Sequence, residues 1–488
     1  MCIETEAFDV IVVGAGAGGT IAARFAAQNG LQVCLVERKS ATLEPAKICG
    51  DAIGSEVFDL LDIAHPRGEE VSCHIKGVKL YSPDRDTHFT IIDPKISGYV
   101  VDRLRFGQRL LKEALDAGVR LFLDQTKALD LLREEGKVAG ISVLGKDGQT
   151  RRLRSKLVID ASGINSLLRK SMNGPLVENE INKEDQILCY REIVNFPTRA
   201  QQVDNPDYIS IFLDKDRAPG GYVWYFPKNN HALNIGMGAF MSYGQKVKDL
   251  YKTHVFDFFI KTGEYEILSS GGGVVPVRRP LWSCVDHGIM FCGDAAMHVN
   301  PLHGGGIDPA MRAGYHAAMT AVNAIREKDY STKTLWEYNL KIMRGFGSEF
   351  AGLDLLRRVL QNLNNDDVNF GLHAGLLSGH EILSIAKEGK IELTPLQLAQ
   401  KAIRGISRPR FLLKLFTLCR RMNKVAALYQ AFPGTDDRKK FENWKFQILS
   451  IFQFSPELFS NISFREIGLF LNPQNLDRNI QISSKILR

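Results

Sequence analysis

The chain has 488 residues and a net charge of +7, with 44% hydrophobic and 24% charged residues, a balance typical of a globular protein large enough for two or three domains. No apolar run approaches the roughly 18 residues needed to cross a bilayer, and the eight scattered cysteines form no C-x-x-C pair, which argues against a zinc site and a disulfide framework. The acidic N-terminus does not resemble a signal peptide. We therefore expect a cytoplasmic protein with no metal site and no nucleic-acid partner.

The first predicted elements form a βαβ unit. Residues 8–13 and 31–36 are short apolar runs typical of buried parallel strands. The residues between them predict a helix from about Thr20 to Asn29.

A glycine-rich turn lies between the first strand and this helix. Its G-x-G-x-x-G pattern permits a tight turn, a close approach of the backbone to a pyrophosphate, and close packing of helix against strand. The helix N-terminus offers free N–H groups and a positive dipole end, and Glu37, at the end of the second strand, can bind ribose hydroxyls. The predicted dinucleotide contacts in the turn are Gly14, Gly16, Ala17, Gly18 and Gly19.

The middle of the chain predicts one further helix and then a meander of strands. The helix covers 102–117, and the strands cover 120–123, 128–133, 138–143 and 157–160. Residues 171–270 alternate polar and apolar side chains, which predicts an antiparallel sheet, and the chain is mostly helical from about 331. We therefore predict three regions: a discontinuous nucleotide-binding domain (1–80, 101–170 and 271–330), an inserted substrate sheet (81–100 and 171–270) and a C-terminal helical domain (331–488).

A second glycine-rich segment predicts FAD as the dinucleotide. Asp294 follows an apolar strand at 288–291, where a carboxylate can hold a ribityl hydroxyl. Gly304, Gly305 and Gly306 then open a helix, whose N–H groups can face the N1–C2=O edge of the flavin, where the reduced ring is anionic. No second dinucleotide turn occurs, so we expect electrons from a transient NAD(P)H or a ferredoxin-like carrier.

Several motifs resemble those of the archaeal geranylgeranyl reductases, a family of FAD-dependent oxidoreductases. They are K-I-C-G-D-A at 47–52, L-Y-S-P-D at 80–84, P-G-G-Y-V-W-Y-F-P at 219–227, V-P-V-R-R-P at 275–280, the N-P to glycine run at 300–306 and N-N-D-D at 364–367. The resemblance implies an α/β fold whose Rossmann-like FAD domain is of the aromatic-hydroxylase and glutathione-reductase type. It also implies reduction of isolated C=C bonds in geranylgeranyl chains, either of ether-lipid precursors or of geranylgeranyl diphosphate.

The same resemblance implies a set of FAD contacts spread over the nucleotide domain. Besides the first glycine turn they are Glu37, Arg38, Cys49, Gly50, Asp51, Ala52, Arg103, Ala128, Asp160, Asp294, Gly304, Gly305, Gly306 and Ile307. It further implies that Tyr222, Trp224 and Phe226 line the substrate tunnel.

The candidate catalytic residues combine aromatic rings with two titratable groups. Tyr222, Trp224 and Phe226 alternate, so on a strand they share one face, where aromatic rings can stabilise positive charge on a tertiary carbon. Cys49 either relays a proton or packs against the flavin. His303 either tunes the flavin or bonds to backbone. Asp51 can serve instead as a helix cap, and no general acid stands out.

Two other functions fit the scaffold. A flavin monooxygenase or halogenase is the first, although Tyr222 and Phe226 break the W-x-W-x-I-P motif of halogenases; Lys76 and Lys79 lie in the region expected for the halogenase lysine. A prenyl-chain escort without redox activity is the second. Residues 401–488 contain 16 Lys and Arg and 6 Asp and Glu, so we expect either a solvated basic face or a peripheral contact with anionic membrane lipid. Within this region, residues 408–424 have the composition of either an interfacial or a core-packed helix.

Overall fold

The computed structural model describes residues 3–40, 49–92, 97–122, 125–196, 206–244, 246–256, 265–390 and 393–453. The strands in these ranges, in chain order, are β1 (Ile3–Val13), β2 (Val33–Val36), β3 (Ala52–Gly54), β4 (Val71–Ile75), β5 (Gly77–Tyr81), β6 (His88–Ile91), β7 (Gly98–Val101), β8 (Arg120–Leu121), β9 (Lys127–Glu134), β10 (Lys137–Leu144), β11 (Thr150–Asp160), β12 (Gln186–Asn195), β13 (Tyr208–Phe212), β14 (Val223–Pro227), β15 (Ala232–Phe240), β16 (Glu266–Pro276), β17 (Val285–Asp286) and β18 (Ile289–Phe291).

The α-helices follow the same convention. They are α1 (Ala17–Gln28), α2 (Glu56–Leu60), α3 (Arg103–Asp116), α4 (Leu167–Lys170), α5 (Lys246–Leu250), α6 (Ile307–Glu327), α7 (Thr332–Ile342), α8 (Ser348–Gln361), α9 (Asn365–His373), α10 (Gly379–Glu388), α11 (Pro395–Arg404), α12 (Pro409–Gln430) and α13 (Arg438–Phe452). Helix α1 begins three residues before the predicted start, because the helix continues directly from the glycine turn.

The first sheet has eight strands in the order β17-β18-β11-β1-β2-β8, with β10 and β9 added beside β11. Strands β18, β11, β1, β2 and β8 run parallel. The apolar side chains at 10–13, 33–36, 157–159 and 289–291 are almost fully buried. A parallel sheet with both faces covered needs such continuous apolar strands. The predicted α/β fold class is confirmed.

The second sheet has seven strands in the order β16-β12-β15-β14-β13-β5-β6. All its pairs are antiparallel except β13 with β5. Strands β12 to β16 pair with one another antiparallel, as predicted, and the parallel pair involves β5, which lies outside the range 171–270. Strands β5 and β16 belong to this sheet, which places residues 77–80 and 271–276 with the substrate sheet and not with the nucleotide domain. We keep the three-region division as a proposal with these boundaries moved.

A small third sheet (β3-β7-β4) joins the two larger layers. Helices α7, α8, α12 and α13 share the core of the first sheet, with Trp336, Phe432, Phe441 and Trp444 in the same cluster as its strands. Among the described helices, none is long and apolar enough to cross a membrane.

Helices α1 and α6 cross with their backbones nearly in contact. A Cβ added to Gly314 would meet the carbonyl oxygen of Gly18 far inside van der Waals distance, and one on Gly18 would lie 2.9 Å from the carbonyl oxygen of Ala310. This crossing brings together the two helices that follow the glycine-rich turns.

We expect Gly314→Ala to lower the free energy of unfolding by about 1–3 kcal/mol, because the new methyl group has no space at the crossing. Urea unfolding measures this change. The matched control is Gly371→Ala in α9, where a Cβ would meet only ring carbons of Phe411 at 3.6 Å or more. Helix propensity predicts that this control is neutral or stabilising by up to about 1 kcal/mol. An equal loss of stability in both variants would contradict the close crossing.

Candidate functional site

Four parallel strands of the first sheet end in one row. Val13 of β1 pairs with Val36 on one side and with Asp160 on the other, and Asp160 pairs with Phe291. The N–H of Gly14 continues the row by donating to the carbonyl oxygen of Val36 at 2.8 Å. The loops that carry most of the predicted dinucleotide residues therefore leave the same edge of the sheet, where ligands of open α/β sheets bind.

The first glycine turn is closed by contacts between backbone atoms. Gly14 has φ of +100°, and a Cβ there would lie 2.5 Å from the carbonyl oxygen of Ala161. A Cβ on Gly19 would collide with the carbonyl oxygen of Gly14. Gly16 is the N-cap of α1 and no side chain caps this helix. The first amides of α1, beginning at Ala17, are therefore available to a phosphate.

Glu37 braces this turn from the neighbouring strand. Its Oε2 accepts a hydrogen bond from the N–H of Ala15 at 2.6 Å, and its carbonyl oxygen accepts one from the N–H of Thr126 at 2.8 Å. The hydrogen bond of Thr126 places Ala128, at the start of β9, at the same edge. Arg38 is exposed and follows Glu37 in the chain. Three predicted contacts thus lie together.

The second glycine loop meets the same edge from the other end of the row. The backbone of Asn300 bonds to both Gly304 and Gly305, and a Cβ on Gly306 would lie 3.5 Å from Oδ1 of Asp294. Helix α6 begins at Ile307 without a side-chain cap. The predicted Asp294 and glycine-loop residues are therefore neighbours, as expected for one binding site.

Two features of this edge fit an anionic dinucleotide. Both helix starts that face it lack side-chain caps, whereas Asp102, Ser378 and Thr394 cap other helices. The Nε and Nη1 atoms of Arg103 are buried and have no hydrogen-bond partner among the described residues. Buried guanidinium donors without a partner are costly, so a bound group with acceptor oxygens would satisfy them.

The Asp160 carboxylate bonds to residues of its own loop. Its Oδ1 accepts hydrogen bonds from the N–H and the hydroxyl of Ser162, at 3.0 and 2.6 Å, and its Oδ2 accepts one from the hydroxyl of Ser166. The carboxylate is fully buried and occupied by its own loop. We therefore assign Asp160 to shaping the turn that packs on Gly14, and a direct FAD contact by it stays a prediction.

The Cys49 loop carries a half-buried thiol beside a carboxylate. Lys47 and Ile48 lie outside the described residues. The thiol of Cys49 donates to Oδ1 of Asp51 at 3.1 Å. Desolvation in this recess, reinforced by Asp51, raises the pKa of Cys49 to about 11. The thiol is therefore protonated at neutral pH.

Asp51 links the loop to the second sheet. It adopts φ of +67°, and its Oδ2 accepts hydrogen bonds from Nζ of Lys228 at 3.0 Å and from Nδ2 of Asn234 at 3.1 Å. Asn234 also donates to the carbonyl oxygen of Cys49, and its Oδ1 accepts from Nε1 of Trp224 at 3.0 Å. Asp51 does not cap a helix: it joins the cofactor loop to the aromatic strand.

Trp224 and Phe226 lie on one face of β14, as predicted. Both are buried, in a cluster with Cys73, Ile75 and Val100. A Cβ on Gly50 would lie 2.6 Å from Cε2 of Phe226, so the absence of a side chain there lets the ring reach the cofactor loop. The aromatic face is thus packed directly against the Cys49 segment.

Tyr222, just before β14, contacts the second glycine loop. Its hydroxyl donates to the carbonyl oxygen of His303 at 2.6 Å, and burial raises the pKa of Tyr222, so that the hydroxyl keeps its proton. The His303 side chain is exposed, and its Nδ1 accepts the N–H of Gly305 at 3.2 Å. This geometry supports the backbone-bonding role of His303, and flavin tuning by it stays a prediction.

Sequence reasoning missed Lys228, Asn234 and Gly236. Gly236 pairs with Trp224 across β14 and β15, and a side chain there would collide with the indole ring. Asn234 and Gly236 are two residues apart on β15, so they lie on the same face of the sheet. A small and a polar residue at this spacing is the pattern that could have indicated the strand position beside Trp224. No sequence pattern indicated that Lys228 belongs to the site, because a lysine after a strand is usually exposed.

Two family models match the chain. Residues 185–275 match the geranylgeranyl reductase catalytic domain, and residues 9–42 match the FAD dependent oxidoreductase model. The first match covers β12 to β15 and most of β16, and the second covers the βαβ unit with its glycine turn.

Similar structures share the same architecture. A geranylgeranyl bacteriochlorophyll reductase-like protein from Thermoplasma acidophilum superposes with a TM-score of 0.70 at 25% identity, covering 85% of this chain and 99% of that one. A myxobacterial chondrochloren halogenase, at 18% identity and a TM-score of 0.60 over 87% of this chain and 97% of that one, shares the fold.

Similar sequences cover most of the chain. A digeranylgeranylglycerophospholipid reductase of Sulfolobus acidocaldarius is 34% identical over 429 residues, which are 87% of this chain and 93% of the relative. One from Methanothrix thermoacetophila is 32% identical over 376 residues, which are 75% of this chain and 90% of the relative. The resemblance inferred from the motifs is confirmed, and the chain belongs to the digeranylgeranylglycerophospholipid reductase family of FAD-dependent enzymes.

Proposed function

We propose that the protein reduces isolated C=C bonds of geranylgeranyl chains, with the glycerophospholipid form as the substrate that the names of its relatives favour. The observation that carries this proposal is the placement of one aromatic face, Trp224 and Phe226, against the Cys49 loop, while Tyr222 reaches the second glycine loop. An apolar aromatic face beside a cofactor edge suits an oily chain better than a polar substrate.

Bound FAD, once reduced by the electron donor, would supply hydride to one carbon of the alkene. An isolated trisubstituted alkene has no carbonyl to polarise it, so positive charge develops on its tertiary carbon as reduction proceeds. The faces of Trp224 and Phe226 stabilise that charge in a desolvated site, and their packing excludes water from it.

Cys49 holds the proton that adds to the alkene ahead of or together with the hydride in this proposal, so that positive charge develops on the tertiary carbon. Its thiol is protonated, and the carboxylate that accepts its hydrogen bond is held by Lys228 and Asn234. Asp51 therefore acts as a positioning residue that sets where the thiol points. We further propose that the predicted cofactor contacts along the sheet edge hold FAD.

The proposal also covers the partners. Because the described residues carry a single G-x-G-x-x-G turn, electrons come from a transient NAD(P)H or a ferredoxin-like carrier. Since the substrate is a lipid, the protein works in peripheral contact with the membrane.

The alternatives receive less support. Lys76 is exposed and pairs with Asp207 at 2.6 Å, and Nζ of Lys79 lies 5.2 Å from the ring of Tyr208, so both lysines have the surface contacts of an ordinary strand. A redox-inactive escort would not need the buried Nε and Nη1 of Arg103, which have no hydrogen-bond partner within the part of the chain that the structure describes.

Glu37→Ala is expected to weaken FAD binding roughly ten- to hundredfold, because losing a charged hydrogen-bond acceptor costs about 1.5–3 kcal/mol. Fluorescence titration of apoprotein with FAD measures this. The control is Glu134→Ala, which removes only an exposed pair with Arg154 and should bind FAD normally. Unchanged affinity in the Glu37 variant would remove this carboxylate from the site.

Trp224→Ala should slow alkene reduction roughly tenfold to a hundredfold with FAD still bound, because a desolvated cation–π contact contributes about 2 kcal/mol. The measurement is single-turnover reduction of the lipid by dithionite-reduced enzyme, followed by mass spectrometry. Tyr243→Ala, a change of an exposed aromatic residue of the same region, is the control. Oxygenated or halogenated products would defeat the proposed reaction.

Lys228→Met should lower the free energy of unfolding by about 3–5 kcal/mol, because it leaves the buried Asp51 carboxylate without its counter-charge. Adding Asp51→Asn should recover most of this stability, since no buried charge then remains. We expect the double variant to reduce alkenes slowly despite normal flavin content, because the Cys49 thiol loses its charged acceptor. A double variant with wild-type rate would show that the ion pair serves stability alone.

A further inference from the structure

We propose that helix α11 and the turn after it dock the enzyme onto an anionic lipid surface. This inference rests on the proposed function, because it names the surface through which the protein reaches a membrane-embedded substrate. It concerns residues 393–410, outside the site described above.

Helix α11 exposes apolar side chains along one stripe. Leu396 and Ile403 are 69% and 71% exposed, and Ile406, in the following turn, is 73% exposed. Ala399, between the first two, is also exposed. The spacing of 396, 399 and 403 places these side chains on one helix face, so they form a continuous patch.

The opposite face of α11 is fixed to the protein. Lys401 is buried, and its Nζ donates to the carbonyl oxygen of Leu376 at 2.7 Å and to Oε2 of Glu381 at 2.8 Å. Thr394 caps the helix through the N–H of Gln397. Because the inner face is anchored in this way, the apolar outer face is a stable feature of the folded chain.

The chain segment that carries the patch has charged residues of one sign. Residues 393–434 contain eight Lys and Arg and no Asp or Glu. Arg404, Arg408 and Arg410 are exposed at the C-terminal end of the patch, with Arg408 also paired to Asp367. An apolar stripe next to exposed arginines is the arrangement of an interfacial helix on anionic lipid.

The proposed lipid contact lies one helix before residues 408–424, for which the sequence allowed either an interfacial or a core-packed helix. Phe411, Leu412, Leu413 and Leu418 of α12 are buried, so that stretch is a core-packed helix with a basic outer side. These four apolar residues are unavailable to a membrane.

The patch is connected to the substrate sheet. Lys401 ties α11 to α10, and a Cβ on Gly379 of α10 would lie 3.7 Å from Cγ1 of Ile91 in β6. The next residue, Ile92, is an exposed aliphatic side chain. The proposed lipid contact thus lies beside the edge of the sheet that also carries Trp224.

Charge argues against a second copy of this chain as the occupant. A two-fold contact through this face would be self-complementary and would bring the arginines of one copy towards those of the other. Anionic headgroups satisfy the same arginines with opposite charge.

The test compares the full-length protein with a variant carrying Leu396→Gln, Ile403→Gln and Ile406→Gln. The matched control is Phe446→Gln, which replaces an equally exposed apolar residue (71%) on α13. Co-sedimentation with phosphatidylcholine vesicles, with and without phosphatidylglycerol, gives the partition coefficients. We expect the triple variant to bind anionic vesicles at least about tenfold more weakly, because three aliphatic side chains no longer enter the interface. The control should bind like the wild type.

Electrostatics provides a second arm. Arg404→Gln with Arg410→Gln should reduce binding to anionic vesicles about tenfold or more and barely affect neutral ones, since each basic residue near an anionic surface adds roughly fivefold. Added salt should weaken wild-type binding.

Vesicle binding does not require turnover, so it tests the proposed lipid contact even if the proposed reaction is wrong. With the reaction intact, the triple variant should reduce a detergent-dispersed lipid at the wild-type rate and a vesicle-embedded one slowly. Wild-type binding by the triple variant would overturn the proposal. The proposal would also be overturned if the wild type were a dimer, the triple variant were a monomer, and the two bound vesicles equally well.

Discussion

The site depends on the register of four parallel strands. Val36, Val13, Asp160 and Phe291 stand in one row, and all four strands point the same way. The chain therefore turns off the sheet four times at one edge. This geometry brings together a glycine turn near residue 14 and a glycine loop near residue 305, and a shift of one residue in any pair would also turn its side chains to the other face.

Buried polar groups join the second sheet to this edge. The Asp51 carboxylate receives hydrogen bonds from Lys228, Asn234 and Cys49, so the cofactor loop and the aromatic strand share one network. A buried ion pair of this kind is weak evidence for added stability, since desolvation offsets much of the attraction. Its consequence is geometric, because a carboxylate with several partners has one favourable position.

A second buried network attaches the C-terminal helices and accounts for the V-P-V-R-R-P motif. Arg278 and Arg279 both bond to Glu178, at 2.7 and 3.1 Å, and the N–H of Arg279 donates to Asp354 of α8 at 3.1 Å. Arg278, with the neighbouring Arg279, holds the pKa of the half-buried Glu178 down at about 2 even though desolvation opposes this. The motif is therefore structural: it connects the end of β16 to the helical region.

The amino-acid sequence by itself determined the βαβ unit, the glycine turns, the aromatic face of β14 and the family, because each is a local pattern of residue types whose physical reason is contained in a short segment. The tertiary structure alone decided which polar groups meet. Asp160 turned out to be occupied by Ser162 and Ser166, Lys228 was buried against a residue 177 positions earlier, and β5 joined the second sheet by a parallel pairing with β13. The helices near residue 400 make the same point: α11 and α12 are both amphipathic, yet only packing decides that the apolar side chains of α12 enter the core and those of α11 face outwards. Periodicity shows that a helix has an apolar face, but the partner of that face is set by contacts between distant parts of the chain.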